Sequence, residues 1–240
     1  MQTTARILAL TSAVGILVAV LAGCGGGSGN PEAASSAGSS PRSSATAVTL
    51  TAVTTAMSAS VTAASGFHVK GVYTWPSARL KVDVDLLKSG QMAGSMADDS
   101  EPLSAIYTGG RMYEKLTPRF LGYFGKSGEC AALCSKYVLS KPSTSRGLLR
   151  SMGITSTESI IDDMSAIGPE MTSVTFDGQP AYRWTPPNYG PNSYIIVSAL
   201  PQCFPLKIYD PGHFVLTFSQ WNKVSTPEPP PTAQIYTGTW

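Results

Sequence analysis

The chain has 240 residues, of which 17 are Lys or Arg and 15 are Asp or Glu, so the formal net charge is +2. It contains no polybasic block, which argues against a nucleic-acid partner and against electrostatic docking on a membrane. Charged residues are 13% of the chain, below the ~25% that is usual for soluble domains. This low charge favours unusual apolar exposure or an internal cavity.

The N-terminus is typical of an export signal. The uncharged apolar run Ile7 to Leu21 follows Arg6, as the apolar core of a secretory signal follows its positive segment. A bilayer-spanning helix needs about 20 apolar residues, more than this run supplies. The sequence Leu21-Ala22-Gly23-Cys24 resembles a bacterial lipobox, which predicts cleavage before Cys24 and a diacylglycerol on its thiol. The alternatives are a short membrane anchor or an ordinary signal with Cys24 incidental.

These features predict four regions. Residues 1–23 are the signal peptide, and residues 24–45 are the lipidated Cys24 and a tether rich in Gly, Ser, Ala and Pro, which cannot bury a core. Residues 46–225 form one domain, and residues 226–240 form a Pro-rich tail that we expect to be extended or disordered rather than packed.

Two acyl chains hold a protein stably on a membrane. We therefore expect the domain on the outer face of the cell membrane, lipid-anchored.

Three further cysteines leave the disulfide pairing open. An exported location permits disulfides, and Cys130, Cys134 and Cys203 allow three single pairings. We favour Cys130–Cys134 slightly over the long-range pairs. A zinc site is less favoured, because no His lies nearby and no C-x2-C repeat occurs.

The periodicity predicts one helix followed by a strand meander. Apolar residues recur at helical spacing from Val48 to Val61, and a helix over 46–64 should end near Ser65-Gly66. Alternation then predicts strands over 67–75, 80–86 and 92–96, and Gly109-Gly110 predicts a hairpin. Two more helices are predicted around 148–152 and 160–167. Strands return on both sides of Asp177-Gly178 and over 194–197, 206–209 and 214–218.

The order of elements predicts an α+β fold. About ten antiparallel strands joined by hairpins favour one meandering sheet rather than βαβ units. A sheet of this size is near the limit at which it must curl. We expect one curved antiparallel sheet with helices covering its concave face.

The residues that could carry chemistry favour a protein that is not an enzyme. The two histidines, His68 and His213, fall in strand patterns where an exposed position is the simpler interpretation. The chain has no G-x-S-x-G turn for a nucleophile. Asp83 and Asp85 share one strand face and could be paired carboxylates, but with Lys81 beside them a solvated strand edge is favoured. No cofactor and no metal are predicted.

The sequence resembles the LolA/LprG-like lipoproteins of the LppX/LprG group over roughly residues 48–225. Besides the lipobox and the opening helix, the likeness is carried by four segments: Gly66-Phe67-His68-Val69-Lys70-Gly71, Ile106-Tyr107-Thr108-Gly109-Gly110-Arg111-Met112-Tyr113, Phe176-Asp177-Gly178-Gln179-Pro180-Ala181 and Phe218-Ser219-Gln220-Trp221-Asn222. The resemblance implies a half-barrel that binds a lipid or lipoglycan in an apolar cavity. It also implies carriage of that ligand across the envelope, for which an envelope transporter is a candidate partner.

The predicted lining of the cavity consists of apolar residues on the strand faces. They are Phe67, Val69, Tyr73, Val82, Val84, Met92, Met96, Phe176, Trp184, Ile196, Leu206, Ile208, Leu216 and Phe218. The same alternation occurs in any half-buried sheet, so a solid core is the alternative. A structural or signalling surface lipoprotein without a lipid ligand is the corresponding second function.

Overall fold

The computed structural model describes residues 48–75, 78–97, 102–123, 125–140, 170–186 and 190–238. The described residues belong to one compact unit, Thr46–Trp240. The predicted signal, Cys24 and the whole tether lie outside the described residues, and so do the helices predicted around 148–152 and 160–167.

One antiparallel sheet of 11 strands dominates the fold, in the spatial order β6-β5-β4-β3-β2-β1-β11-β10-β9-β8-β7. Neighbours in space are neighbours in sequence except where the first strand pairs with the last. The predicted antiparallel half-barrel of about ten strands is confirmed. The strands are β1 (Gly66–Trp75), β2 (Ala78–Leu87), β3 (Met92–Ala97), β4 (Leu103–Thr108), β5 (Arg111–Lys115), β6 (Tyr137–Ser140), β7 (Met171–Phe176), β8 (Gln179–Trp184), β9 (Tyr194–Ser198), β10 (Pro205–Asp210) and β11 (Phe214–Ser219).

The two faces of the sheet differ because side chains alternate along each strand. On β2 the side chains of Val82 and Val84 are buried, whereas Lys81 and Asp83 reach solvent. Paired residues on neighbouring strands lie on the same face of the sheet. Val69 and Gly94 pair with Val84 and therefore share its face. We call the side that carries Val82 and Val84 the interior face, and the side that carries Lys81 and Asp83 the outer face.

Helix α1 (Leu50–Ala63) packs on the interior face. Its N-cap Thr49 accepts a hydrogen bond from the backbone N–H of Ala52 through its side chain, as expected for a capping threonine. Val53, Met57 and Val61 recur every four residues, are at most 1% exposed, and belong to the main hydrophobic cluster of the sheet. The helix predicted over 46–64 is confirmed, because packing of this stripe outweighs the weak helix propensity of its threonines.

A second hydrophobic cluster lies beside the β5–β6 side of the sheet. Its buried members are Leu116, Leu121, Leu133 and Val138. They come from the segment that contains helices α2 (Pro118–Tyr123) and α3 (Cys130–Leu133), which the sequence analysis did not predict.

A disulfide joins Cys130 to Cys134 in this segment, and the favoured pairing is present. Cys203 is free and buried, and burial raises the pKa of its thiol.

The C-terminal tail packs against the sheet. Pro230 is buried, and Ile235 forms a parallel bridge with Tyr137 of β6. The N–H of Tyr236 donates to the Tyr137 carbonyl at 2.8 Å, and the Tyr236 ring packs on the second cluster. The expectation of an unpacked tail is therefore wrong for residues 230–236. A Pro-rich run is extended, but its apolar end is free to cover an exposed strand edge.

Gly71 lies where β1 and β11 approach each other closely. A Cβ at this position would overlap the backbone oxygen of Val215 and come within 2.9 Å of the Leu216 Cα. Both obstacles are backbone atoms of the paired strand. The pairing of β1 with β11 therefore requires glycine here.

We predict that Gly71→Ala destabilises the protein by about 2–3 kcal/mol, as overpacking against a rigid neighbour does. Urea denaturation of the full chain measures this loss. Gly128→Ala is the matched control, because a Cβ at Gly128 meets no atom within 4 Å. Equal stability of the two variants would contradict the close approach.

Candidate functional site

The candidate site is the interior face of the sheet. Eleven of the fourteen residues predicted to line a cavity belong to its main hydrophobic cluster. All eleven are at most 8% exposed: Phe67, Val69, Tyr73, Val82, Val84, Met92, Met96, Trp184, Ile208, Leu216 and Phe218. The structure brings these residues together as one continuous apolar surface under α1.

Three predicted residues lie elsewhere. Ile196 pairs with Lys207 and Arg183 on the outer face, and its neighbours Ile195 and Val197 point inward instead. The run from 194 to 197 is apolar throughout, so alternation could not assign its faces.

Leu206 and Phe176 are also outside the main cluster. A register shift between Pro205 and Lys207 displaces Leu206 from the interior row, as a bulge does. Phe176 pairs with Gln179 at the β7–β8 turn. Sequence reasoning also missed interior residues whose strands showed no clear alternation, namely Ala105, Met112, Tyr182, Ile195 and Val197.

Stacked aromatic rings close one end of the interior face. The Trp221 ring stacks on Phe67 and on Phe204, each with centroids 4.9 Å apart. The Trp221 Nε1–H donates to the Pro205 carbonyl at 2.9 Å. Because Phe67 lies on β1 and Pro205 begins β10, Trp221 fixes the chain after β11 against both strands.

A pocket of about 490 Å³ adjoins this aromatic stack. Phe176, Leu206, Phe218 and Trp221 contribute apolar walls, and three of these four residues are in the predicted lining set. Leu200, 41% exposed, stands at the same place. The pocket is thus a mostly apolar opening at the end of the strands, where it adjoins the interior residue Phe218.

One carboxyl group interrupts the apolar interior. Glu114 of β5 is 2% exposed and pairs with Ala105 on one side and Val138 on the other. Its Oε1 has no hydrogen-bond partner, and the same is true of the Ser140 Oγ and the Trp184 Nε1 among the described residues. Burial raises the pKa of Glu114, and the nearby Ser140 hydroxyl offsets this in part.

The outer face carries an ion-pair cluster instead of a catalytic pair. His68 contacts Asp85 through Nδ1 at 2.8 Å and Asp83 through Nε2 at 3.4 Å, while Lys70 Nζ lies 2.7 Å from Asp83. The carboxylates are on β2, which lies between β1 and β3, so the expectation of a strand edge is wrong. They lie on a solvated sheet face, and both carboxylates are satisfied by neighbouring cations or by His68.

Ser193, Asp210 and His213 meet in the structure but in an order unsuited to nucleophilic catalysis. The Ser193 hydroxyl donates to Asp210 at 2.5 Å, and His213 Nδ1 lies 2.9 Å from the other carboxylate oxygen. A serine nucleophile needs the histidine, not the aspartate, beside its hydroxyl. His213 lies in the turn before β11 rather than in a strand as expected, and its side chain is 73% exposed.

The described residues hold no group of three or more His, Cys, Asp or Glu side chains that could bind a metal ion. None of the helices in this part of the chain has the length and apolar character needed to cross a membrane.

Known proteins resemble this chain in fold. No family model matches the chain, and no curated protein matches it. The structure is similar to LprF from Mycobacterium bovis, with 15% identity, a TM-score of 0.48, and coverage of 74% of this chain and 95% of that one. It is also similar to the lipoprotein LppX from Mycobacterium tuberculosis, with 13% identity, a TM-score of 0.46, and coverage of 75% and 100%.

A third similar structure is an uncharacterized conserved protein from Thermus thermophilus, with 9% identity, a TM-score of 0.31, and coverage of 76% of this chain and 95% of that one. LppX bears the name of the group to which the sequence was likened. These three TM-scores are all below 0.5.

The buried carboxyl predicts a particular pH dependence of stability. The folded chain keeps the Glu114 proton at pH values where the unfolded chain has lost it, because its pKa is raised above the ordinary 4.5. The folded state then binds more protons, so its stability falls as pH rises from 4.5 to the raised pKa. Glu114→Gln removes this loss, and its stability relative to wild type should increase between about pH 4 and pH 8.

Urea denaturation at the two pH values measures this difference. Glu170→Gln, which changes an exposed carboxyl, is the control and should show a much smaller pH-dependent change. A stability difference between Glu114→Gln and wild type that stays constant with pH would contradict the assignment.

Proposed function

We propose that this protein is a membrane-anchored exported lipoprotein that binds a lipid or lipoglycan on the interior face and carries it across the cell envelope. The observation that carries the proposal is the continuous apolar interior face, made by eleven residues selected from the sequence. An envelope transporter is the partner we propose for loading or delivery.

The chemistry of the interior face suits an acyl chain. Apolar side chains from strands on both sides of β1 contribute to one surface, and Met92, Met96 and Met112 are among them, while Met57 of α1 packs into the same cluster. Methionine is unbranched and flexible, so a surface rich in it can adapt to chains of different shape. The pocket beside Trp221 adjoins this surface at Phe218.

The energetics of carriage require no nucleotide at the binding step. An acyl chain that leaves a bilayer loses about 0.8 kcal/mol for each methylene exposed to water and regains a similar amount in an apolar site. Exchange between membrane and protein is then close to thermoneutral. A tether from Cys24 would keep the domain near the headgroups, where the transfer takes place.

A second candidate function is a structural or signalling surface lipoprotein without a ligand. It is favoured by one observation: the eleven clustered residues are at most 8% exposed, as in a filled core. Lipid binding then requires that α1 or another covering segment move away from the sheet.

Native mass spectrometry of the full chain, purified from membranes in detergent, tests ligand binding. We predict a non-covalent lipid adduct on the wild type. Leu216→Gln should reduce the adduct by about fivefold or more, because it places an amide on the interior face, where it is 4% exposed.

Val215→Gln is the matched control, since Val215 adjoins Leu216 but lies on the outer face and is 36% exposed. It should keep the adduct. Circular dichroism of both variants checks that they are folded. Absence of any adduct from the wild type would favour the structural or signalling function, and equal loss in both variants would place the lipid elsewhere.

The proposed anchor is tested separately by metabolic labelling with a palmitate analogue. We predict that the wild type is labelled and that Cys24→Ala is not, because the thiol of Cys24 is the acceptor. Labelling that persists in Cys24→Ala would contradict the lipobox. Ser28→Ala, four residues further along the chain, is the control and should remain labelled.

A further inference from the structure

Two unpaired polar groups lie on adjacent strands of the interior face. Glu114 on β5 pairs with Val138, and Ser140 on β6 pairs with Met112. Glu114 and Ser140 are therefore diagonal neighbours on one face. The backbones of such neighbours are usually about 7–8 Å apart, a separation that long side chains can bridge. Glu114 Oε1 and Ser140 Oγ are both buried without a hydrogen-bond partner.

Glu114 has the Ser140 hydroxyl nearby, which lowers its pKa in part, but its Oε1 keeps no hydrogen-bond partner among the described residues. Its strand partners are Ala105 and Val138, neither of which can hydrogen-bond through its side chain. A buried acceptor left unpaired destabilises a protein, and an apolar side chain of similar size would not. Natural proteins leave few such groups, and each one needs an explanation such as a bound water, a bound ion or a functional role.

The carboxyl lies at the junction between two apolar regions. Met112, two residues before Glu114, belongs to the main cluster, whereas Leu116, two residues after it, belongs to the second cluster. An acyl chain lying along the main cluster would therefore bring one end to Glu114. A polar group at that end would meet both unpaired atoms.

We propose that Glu114 and Ser140 form a polar anchor that hydrogen-bonds a hydroxyl group of an uncharged lipid. This inference rests on the proposed function of lipid binding. The lipid hydroxyl donates to Glu114 Oε1 and accepts from the Ser140 hydroxyl, so both unpaired groups are satisfied together. Such an anchor selects hydroxylated lipids over hydrocarbons of the same length.

The electrostatics agree with an uncharged ligand. Burial raises the pKa of Glu114, which favours the neutral acid over the carboxylate. Neither facing strand residue, Ala105 nor Val138, carries a charge. By strand alternation the flanking Lys115 lies on the opposite face and is exposed.

The test compares two probes of equal chain length, hexadecan-1-ol and hexadecane. Each is tritium-labelled and offered to the full chain in amine oxide micelles, which contain no hydroxyl groups. Bound label is counted after affinity capture, with empty micelles as the blank. The wild type should prefer the alcohol, and Glu114→Leu should reduce that preference about tenfold, as expected for one hydrogen bond in apolar surroundings.

Three further variants make the result specific. Ser140→Ala should reduce the preference several-fold. Glu114→Gln should keep most of it, because an amide both donates and accepts, and the exposed Glu170→Gln should keep all of it. In the absence of probe, Glu114→Leu should raise Tm by about 2–4 °C, since it removes the unpaired carboxyl.

The outcomes separate the anchor from lipid binding itself. If the wild type retains neither probe, the proposed function fails. If both probes bind and the preference is the same in wild type and Glu114→Leu, the anchor is overturned and lipid binding stands. A lower Tm for folded Glu114→Leu would show that Glu114 stabilises the folded protein, and this result would also overturn the anchor. If Glu114→Leu does not fold, Ser140→Ala decides: an unchanged preference for the alcohol over the hydrocarbon in that variant overturns the anchor.

Discussion

The pairing of β1 with β11 is the contact on which the rest of the molecule depends. Each half of the sheet grows outward from this pair by antiparallel neighbours, ending at β6 on one side and β7 on the other. Gly71 permits the close backbone approach, and Trp221 fixes the chain that leaves β11 by stacking on Phe67 and Phe204. Without this junction the interior face would be two separate apolar surfaces.

The parts of the fold that the sequence predicts are those with a local physical cause. Val82 and Val84 alternate with Lys81 and Asp83, so β2 and its faces follow directly from the period of a strand. The turns at Gly109-Gly110 and Asp177-Gly178 require positive φ, which Gly supplies freely and Asp tolerates, and the structure has positive φ at all four positions. Helix α1 follows from a stripe that repeats every four residues.

The parts that escaped prediction depend on contacts distant in sequence or on local irregularity. Ile196 lies in an unbroken apolar run, where the alternation of apolar and polar residues cannot assign faces. The bulge near Leu206 lies beside Pro205, and a proline there fits either a strand start or a bulge. Strand β6 is four residues long and its edge is partly covered by Tyr236, almost a hundred residues later. Glu114 was missed because one acidic residue in a short strand normally indicates an exposed position.

The account's central claim is that an acyl chain reaches the interior face. It is tested most directly by fluorescence quenching of Trp184, which belongs to the main cluster and is 1% exposed. Trp221 is kept because it holds the β1–β11 junction, so in a full chain with Trp75 and Trp240 changed to Phe the emission lost on a further Trp184→Phe change is that of Trp184. We predict that vesicles with brominated acyl chains quench its emission by contact. Emission as bright as in unbrominated vesicles would contradict the claim.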